Sequence, residues 1–213
     1  MNKFLFVLCS FFVTCALSVA VAMHFGNTAG TAAASLLYLL LYFVTANKRE
    51  KSVVTLRKGA LLLLFFLEFI FFISMLFTLV FSPQRSTVTL GTAATALLLA
   101  PIAEELFFRG TLFKVLKESF SLPFAVVFSS VAFAFVHSGL SAVLTAFFAG
   151  VILALIYSLS KSVWLCVLCH FLNNALALFV TVDKRYVPVV LVISLISLVL
   201  TAIYVKGIWE NEE

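Results

Sequence analysis

Glu104 and Glu105 stand side by side in an otherwise apolar stretch, and Arg109 follows four residues after the second. That spacing, with the acid first, favours an ion pair along one helical face, so Glu105 and Arg109 neutralise each other. Glu104 lies about 100° further round the helix and is the carboxylate left over. Two later apolar stretches carry the remaining candidates. Phe133 and His137 are four apart, and so are His170 and Asn174, which therefore share one helical face. If these groups converge, they supply what attack of water on an amide needs. Glu104, helped by His137, takes a proton from the water. His170 and Asn174 donate hydrogen bonds to the oxyanion that forms. No serine or cysteine nucleophile enters this scheme.

The elements that must position these groups are membrane helices. Of the 213 residues 64% are hydrophobic and 11% charged, far from the roughly half and quarter of soluble domains. Lipid must therefore solvate much of the surface. Hydropathy predicts eight spans, at roughly 4–23, 28–46, 60–81, 89–112, 122–138, 141–160, 162–182 and 187–206. The expected fold is all-α: a polytopic bundle of about eight transmembrane helices around a polar cavity. It forms a single integral membrane domain over 1–213, with the chemistry within 90–180. The third span, rich in Phe and Leu, suits a lipid-facing helix. The fourth, sixth and seventh carry the small residues that suit close packing.

The net charge of +5 reads as topology rather than nucleic-acid binding, because the basic residues sit between apolar spans. With a cytoplasmic N-terminus, the inner segments hold Lys3, Lys48, Arg49, Lys51, Arg57, Lys58, Lys114, Lys117, Lys161 and Lys206. The outer segments hold Arg85, Lys184 and Arg185. Both termini are then cytoplasmic. The first span also resembles a signal peptide ending at Ala20-Val21-Ala22, but its apolar run is long enough to span, and a retained helix is the reading adopted. Cys9, Cys15, Cys166 and Cys169 all lie in apolar stretches and imply no disulfide framework.

The blocks E-E-x-x-x-R, F-x-x-x-H and H-x-x-x-N, in this order on successive hydrophobic segments, resemble the CPBP family. This is the CAAX-protease and bacteriocin-processing (Abi) family, which includes the type II CAAX prenyl endopeptidases. The resemblance covers roughly 90–180. It implies an eight-helix membrane fold enclosing a hydrophilic cavity, and a glutamate-type intramembrane protease of a kind formerly labelled metalloprotease. It also implies that Glu104 and His137 activate water, that His170 and Asn174 stabilise the oxyanion, and that Glu105 and Arg109 support them. The substrate implied is a peptide or lipidated peptide: a CAAX-like C-terminus, or a peptide in bacteriocin maturation or self-immunity. Membrane lipids are the other partner, and the small size suits a bacterial plasma-membrane protein.

Other readings compete. Glu104, His137 and His170 could ligate Zn²⁺, but the histidines lack the H-E-x-x-H spacing, so no cofactor is favoured. Cys166, Cys169 and His170 match the C-x-x-C-H haem-attachment pattern, yet inside an apolar helix. Glu68 lies mid-span and either bonds in the cavity wall or contacts substrate; His24 suits an interface. A non-catalytic scaffold and a small ion- or proton-coupled transporter are the alternative functions, since both also use intramembrane Glu and His. One feature of the helix spacing resists convergence. His137 lies roughly 24 Å along its span and His170 roughly 12 Å along its own, so meeting requires strong tilt or a short fifth helix with Ser138 and Gly139 as a buried apex.

Overall fold

The computed structural model describes residues 3–45, 51–81 and 88–210, which form an all-α polytopic membrane bundle with no strand among the described residues. The eight helices are α1 (Lys3–Phe25), α2 (Asn27–Thr45), α3 (Leu56–Phe81), α4 (Leu90–Ser119), α5 (Leu122–Phe135), α6 (Leu140–Ser160), α7 (Val163–Phe179) and α8 (Val187–Glu210). A 3₁₀ turn, Lys184–Tyr186, precedes α8. The expected end of the second span at 46 and the topology residues Lys48, Arg49 and Arg85 lie outside the described residues.

Six of these helices are long and apolar enough to cross a membrane. The exceptions are α5, with 14 residues, and α7, with 17. At about 1.5 Å per residue they fall short of the roughly 30 Å hydrocarbon thickness. These are also the two helices that carry the histidine motifs.

The centre of the bundle is α4, whose middle is wholly buried: Ala103, Glu105, Phe107, Phe108, Arg109 and Leu112 expose nothing. The aromatic rings around it explain why. Tyr38 of α2 stacks on Phe107 at 4.7 Å between centroids, Phe11 of α1 stacks on the same ring at 6.1 Å, and Phe133 of α5 meets Phe108 edge-on at 5.2 Å. Such aromatic pairs contribute about 0.5–1.5 kcal/mol each beyond burial. The first helix is thus part of the core, with Val7 and Phe11 buried.

The expected close packing by small residues holds where α5 meets α6. A Cβ added to Gly150 would lie 3.0 Å from Ser130 Cα, so only glycine lets the two backbones approach this far. The expectation for the third span is corrected in part. Leu64 and Leu79 do face outward, but Phe66 and Ile70 are buried, and this side of α3 packs on α6 and α7. The last helix, α8, packs chiefly on α3.

Candidate active site

The site begins with a defect in α4. Its winding is α-helical except at Thr95–Leu99 and Phe108–Phe113, where it loosens to i→i+5 bonding and flanks the glutamates on both sides. Such π segments commonly accompany functional sites. In the first, the Ala100 N–H reaches Thr95 O. The same register would pair Ala96 O with the N–H of residue 101, which is a proline and has none. Asn174 of α7 fills that place, its Nδ2 donating to Ala96 O at 2.8 Å. Asn173 Nδ2 in turn donates to Asn174 Oδ1 at 3.3 Å. The proline of the first motif thus selects the position of the asparagine of the third.

Glu105 is the hub of the polar cluster. Its Oε2 lies 3.2 Å from Arg109 Nε, the i,i+4 pair expected from spacing. Its Oε1 accepts from His170 Nδ1 at 3.0 Å. Sequence spacing does not reveal this second contact, because it joins α4 to α7. Both Glu105 and Arg109 are fully buried. The arginine is further fixed by donating Nη2 to Gly150 O at 3.2 Å and by lying 4.7 Å over the Phe133 ring. A desolvated cation over an aromatic face adds attraction. Arg109 Nε and Glu105 Oε2 are close without hydrogen-bond alignment, so their contact is Coulombic.

The two histidines pack against the same ring. Phe133 lies 5.0 Å from His137 and 5.6 Å from His170, centroid to centroid. The depth conflict is met by the short α5, which ends at Phe135 and leaves His137 in the turn beyond it. The expected buried apex is corrected: Ser138 and Gly139 are exposed. Gly139, at φ +85°, takes a conformation that side-chain-bearing residues rarely adopt, and so allows the reversal into α6.

The partner at Nδ1 fixes which nitrogen of each ring carries a proton. His137 Nδ1 is 2.9 Å from Phe133 O. A carbonyl only accepts, so Nδ1 carries the proton, and in the neutral ring Nε2 is left as an acceptor. His170 Nδ1 likewise faces an acceptor, the Glu105 carboxylate, and donates to it, so Nε2 is the ring's remaining polar atom.

Both histidines, with Asn173 and Asn174, line a cavity of about 660 Å³. Much of the remaining lining is apolar, and α3 contributes Phe66, Ile70 and Met75 together with Ser74 and Thr78. Lys184, just before α8 and expected from the sequence only as an outer-segment charge, contributes to the lining. Glu104 is buried, with 9% exposure, and its Oε2 has no hydrogen-bond partner. Glu104 does not line the cavity. The structure thus brings His137, His170 and Asn174 to one space and ties Glu105 and Arg109 to it through His170. It leaves Glu104 one residue away along α4.

Other candidates resolve more simply. Among the described residues no three His, Cys, Asp or Glu side chains gather as a metal-binding group. Cys166 and Cys169 are buried free thiols within α7, the former donating to Leu153 O at 3.6 Å, which is no setting for haem attachment. Glu68 accepts a 2.7 Å hydrogen bond from Ser197 of α8 and stays out of the cavity lining. His24 is exposed at the end of α1.

Residues 86–176 match the family described as Rce1-like, type II CAAX prenyl endopeptidase. Over 86 residues, 40% of the chain, the sequence is 30% identical to "Putative membrane peptidase YdiL" of Bacillus subtilis (strain 168). The matched stretch spans 35% of that protein's length, about a third. No solved structure gives a significant match.

Proposed function

We propose, from the match of residues 86–176 to the Rce1-like, type II CAAX prenyl endopeptidase family, that this chain hydrolyses a peptide bond within or beside the membrane by water attack under glutamate control. The single observation that carries this reading is the convergence of two imidazoles and the Asn174 carboxamide on one cavity whose remaining lining is largely apolar. An extended apolar peptide would lie along the α3 side and present its scissile carbonyl to the polar side.

His137 Nε2 and the Glu104 carboxylate act together as the base that takes a proton from water. The buried, unpaired Oε2 of Glu104 is costly to maintain, which suits a group that awaits water or substrate. Because Glu104 is not in the cavity lining, reaction requires its side chain to turn toward His137 or to act through a bridging water. Attack on the carbonyl forms a tetrahedral oxyanion. When His170 carries its second proton, its Nε2–H and the second Nδ2 proton of Asn174 stabilise it, while Glu105 and Arg109 fix the His170 ring. Collapse expels the amine, which takes up the proton held by the base. No step uses a metal, and the purified protein is expected to contain substoichiometric zinc and to stay active after dialysis against chelator. Loss of activity restored by stoichiometric Zn²⁺ would contradict that.

The substrate is proposed to be a membrane-borne or lipidated peptide, of the CAAX-like kind or of the kind matured in bacteriocin production or self-immunity. The deciding experiment compares membrane peptides from cells carrying the wild-type protein or Glu104→Gln. The amide keeps the shape of the acid but cannot act as a general base, so cleavage should fall at least about 10²-fold while insertion and melting are kept. Full proteolysis by a well-folded Glu104→Gln protein would falsify the role of Glu104.

A further inference from the structure

Asn173 of α7 stands between the two residues to which the third motif gives chemistry, and the spacing of that motif assigns it no role. It lines the cavity together with His170 and Asn174, and its Nδ2 lies 3.3 Å from Asn174 Oδ1. Neighbours in a helix sequence point about 100° apart, so periodicity does not predict that their side chains meet.

The direction of each hydrogen bond here follows from chemistry. Ala96 O can only accept, so the Asn174 atom 2.8 Å from it is the nitrogen. The other end of the Asn174 carboxamide is then its oxygen, which also only accepts. The Asn173 atom facing it must be a donor, its Nδ2. Two donations thus run in series, from Asn173 to Asn174 and from Asn174 to the carbonyl of Ala96.

The bond to Ala96 O alone would leave the Asn174 amide plane free to turn about that bond. A second bond at the opposite end of the amide fixes the plane. This matters for the reaction, because an amide carries a donor and an acceptor of similar size, and an oxyanion is stabilised by the first and repelled by the second. With Oδ1 held by Asn173 and one Nδ2 proton held by Ala96 O, the other Nδ2 proton is the group Asn174 has left to offer. Donation into Oδ1 also polarises the amide and strengthens that proton as a donor. The 3.3 Å bond is long, and hydrogen bonds of catalytic groups commonly tighten in the transition-state complex.

We infer that Asn173 is a positioning residue for oxyanion stabilisation, holding the Asn174 carboxamide with its nitrogen toward the reacting carbonyl. This role rests on the protease reading and adds to it a residue that acts through Asn174 rather than on the substrate.

The test uses the full chain in detergent and a quenched fluorescent peptide copied from a membrane peptide that wild-type cells cleave and Glu104→Gln cells do not. Asn173→Asp keeps the shape but, as a carboxylate, sets an acceptor against Asn174 Oδ1. Its kcat should fall about tenfold or more at neutral pH with KM unchanged. Protonation turns the same side chain into a donor, so the ratio of its rate to the wild-type rate should climb as pH falls. Titration of the catalytic groups is common to both proteins and cancels in that ratio. Asn173→Ala, which places no charge in the bilayer, should show the kcat loss without the pH response. In an Asn174→Ala background neither change should lower kcat further. A ratio that does not vary with pH, a change confined to KM, or a full additional loss in the Asn174→Ala background would overturn the role while leaving the protease reading in place. Melting temperatures of the single and double alanine variants need no substrate: coupled losses support the bond between the two side chains, and additive losses remove it. If no peptide is cleaved in a Glu104-dependent way, the protease reading itself fails, and the role of Asn173 fails with it.

Discussion

At the scale of single residues the two adjacent glutamates should part company under mutation. Glu105 is held between Arg109 and His170 in a fully buried setting, so Glu105→Gln leaves a buried guanidinium without its counter-charge. Breaking such a pair costs about 3–5 kcal/mol. A clear drop in melting temperature is expected, and an unchanged melt would mean that the pair contributes no net stability. Glu104 has no such partner, so its amide variant should lose cleavage without losing stability. Asn174→Ala should lower turnover by about 10²–10³-fold if its second amide proton serves the oxyanion. Retained turnover would leave Asn174 a purely structural residue. The residue types and the Glu105–Arg109 pair were legible in the sequence because each follows from spacing along one helix. The His170–Glu105 bond was not, because periodicity says nothing about which helices become neighbours.

At the scale of elements the most informative feature is the coupling of Pro101 to Asn174 through Ala96 O. It was invisible in the sequence, since a proline in an apolar span signals a helix break without saying what repairs it. Pro101→Ala restores an N–H that can reach Ala96 O, and so removes the vacancy that Asn174 fills. Stability measured for Asn174→Ala should therefore fall by about 1–3 kcal/mol in the wild-type background and by clearly less in the Pro101→Ala background. A double-mutant cycle in detergent measures the difference. Additive losses would show that the carbonyl is not the link. The eight helices themselves were readable from hydropathy. The depth conflict between the histidines already asked for a short fifth helix or strong tilt, but the end at Phe135 was not readable, because Val136 and His137 continue the apolar pattern while the backbone has already turned toward Gly139.

At the scale of the whole molecule, the cavity and a second, smaller pocket lined by Tyr42, Ser52, Lys114 and Lys161 lie toward opposite ends of α7. The cavity lining extends from His170 through Val180 and Val182 to Lys184, beyond the C-terminal end of α7, whereas the second pocket lies at its N-terminal end. Among the described residues Lys3, Lys51, Arg57, Lys58, Lys114, Lys117, Lys161 and Lys206 fall in the segments proposed to face the cytoplasm, and Lys184 and Arg185 in those proposed to face outward. Asymmetry of this kind sets topology because basic loops resist translocation. The cavity should then open toward the outer face and the second pocket toward the cytoplasm. In a background with the exposed Cys9 replaced by serine, a cysteine at Val182 should react with a membrane-impermeant maleimide added to intact cells. A cysteine at Ser52 should react only after the cells are opened. Reporters fused after Lys51 and after Arg85 should agree, the first reading cytoplasmic and the second external. The reverse pattern at both pairs would invert the molecule, placing the cavity mouth inside and the second pocket at the outer face. It would leave the chemistry assigned to Glu104, His137, His170 and Asn174 untouched, because that rests on side chains meeting within the bundle rather than on the direction the bundle faces.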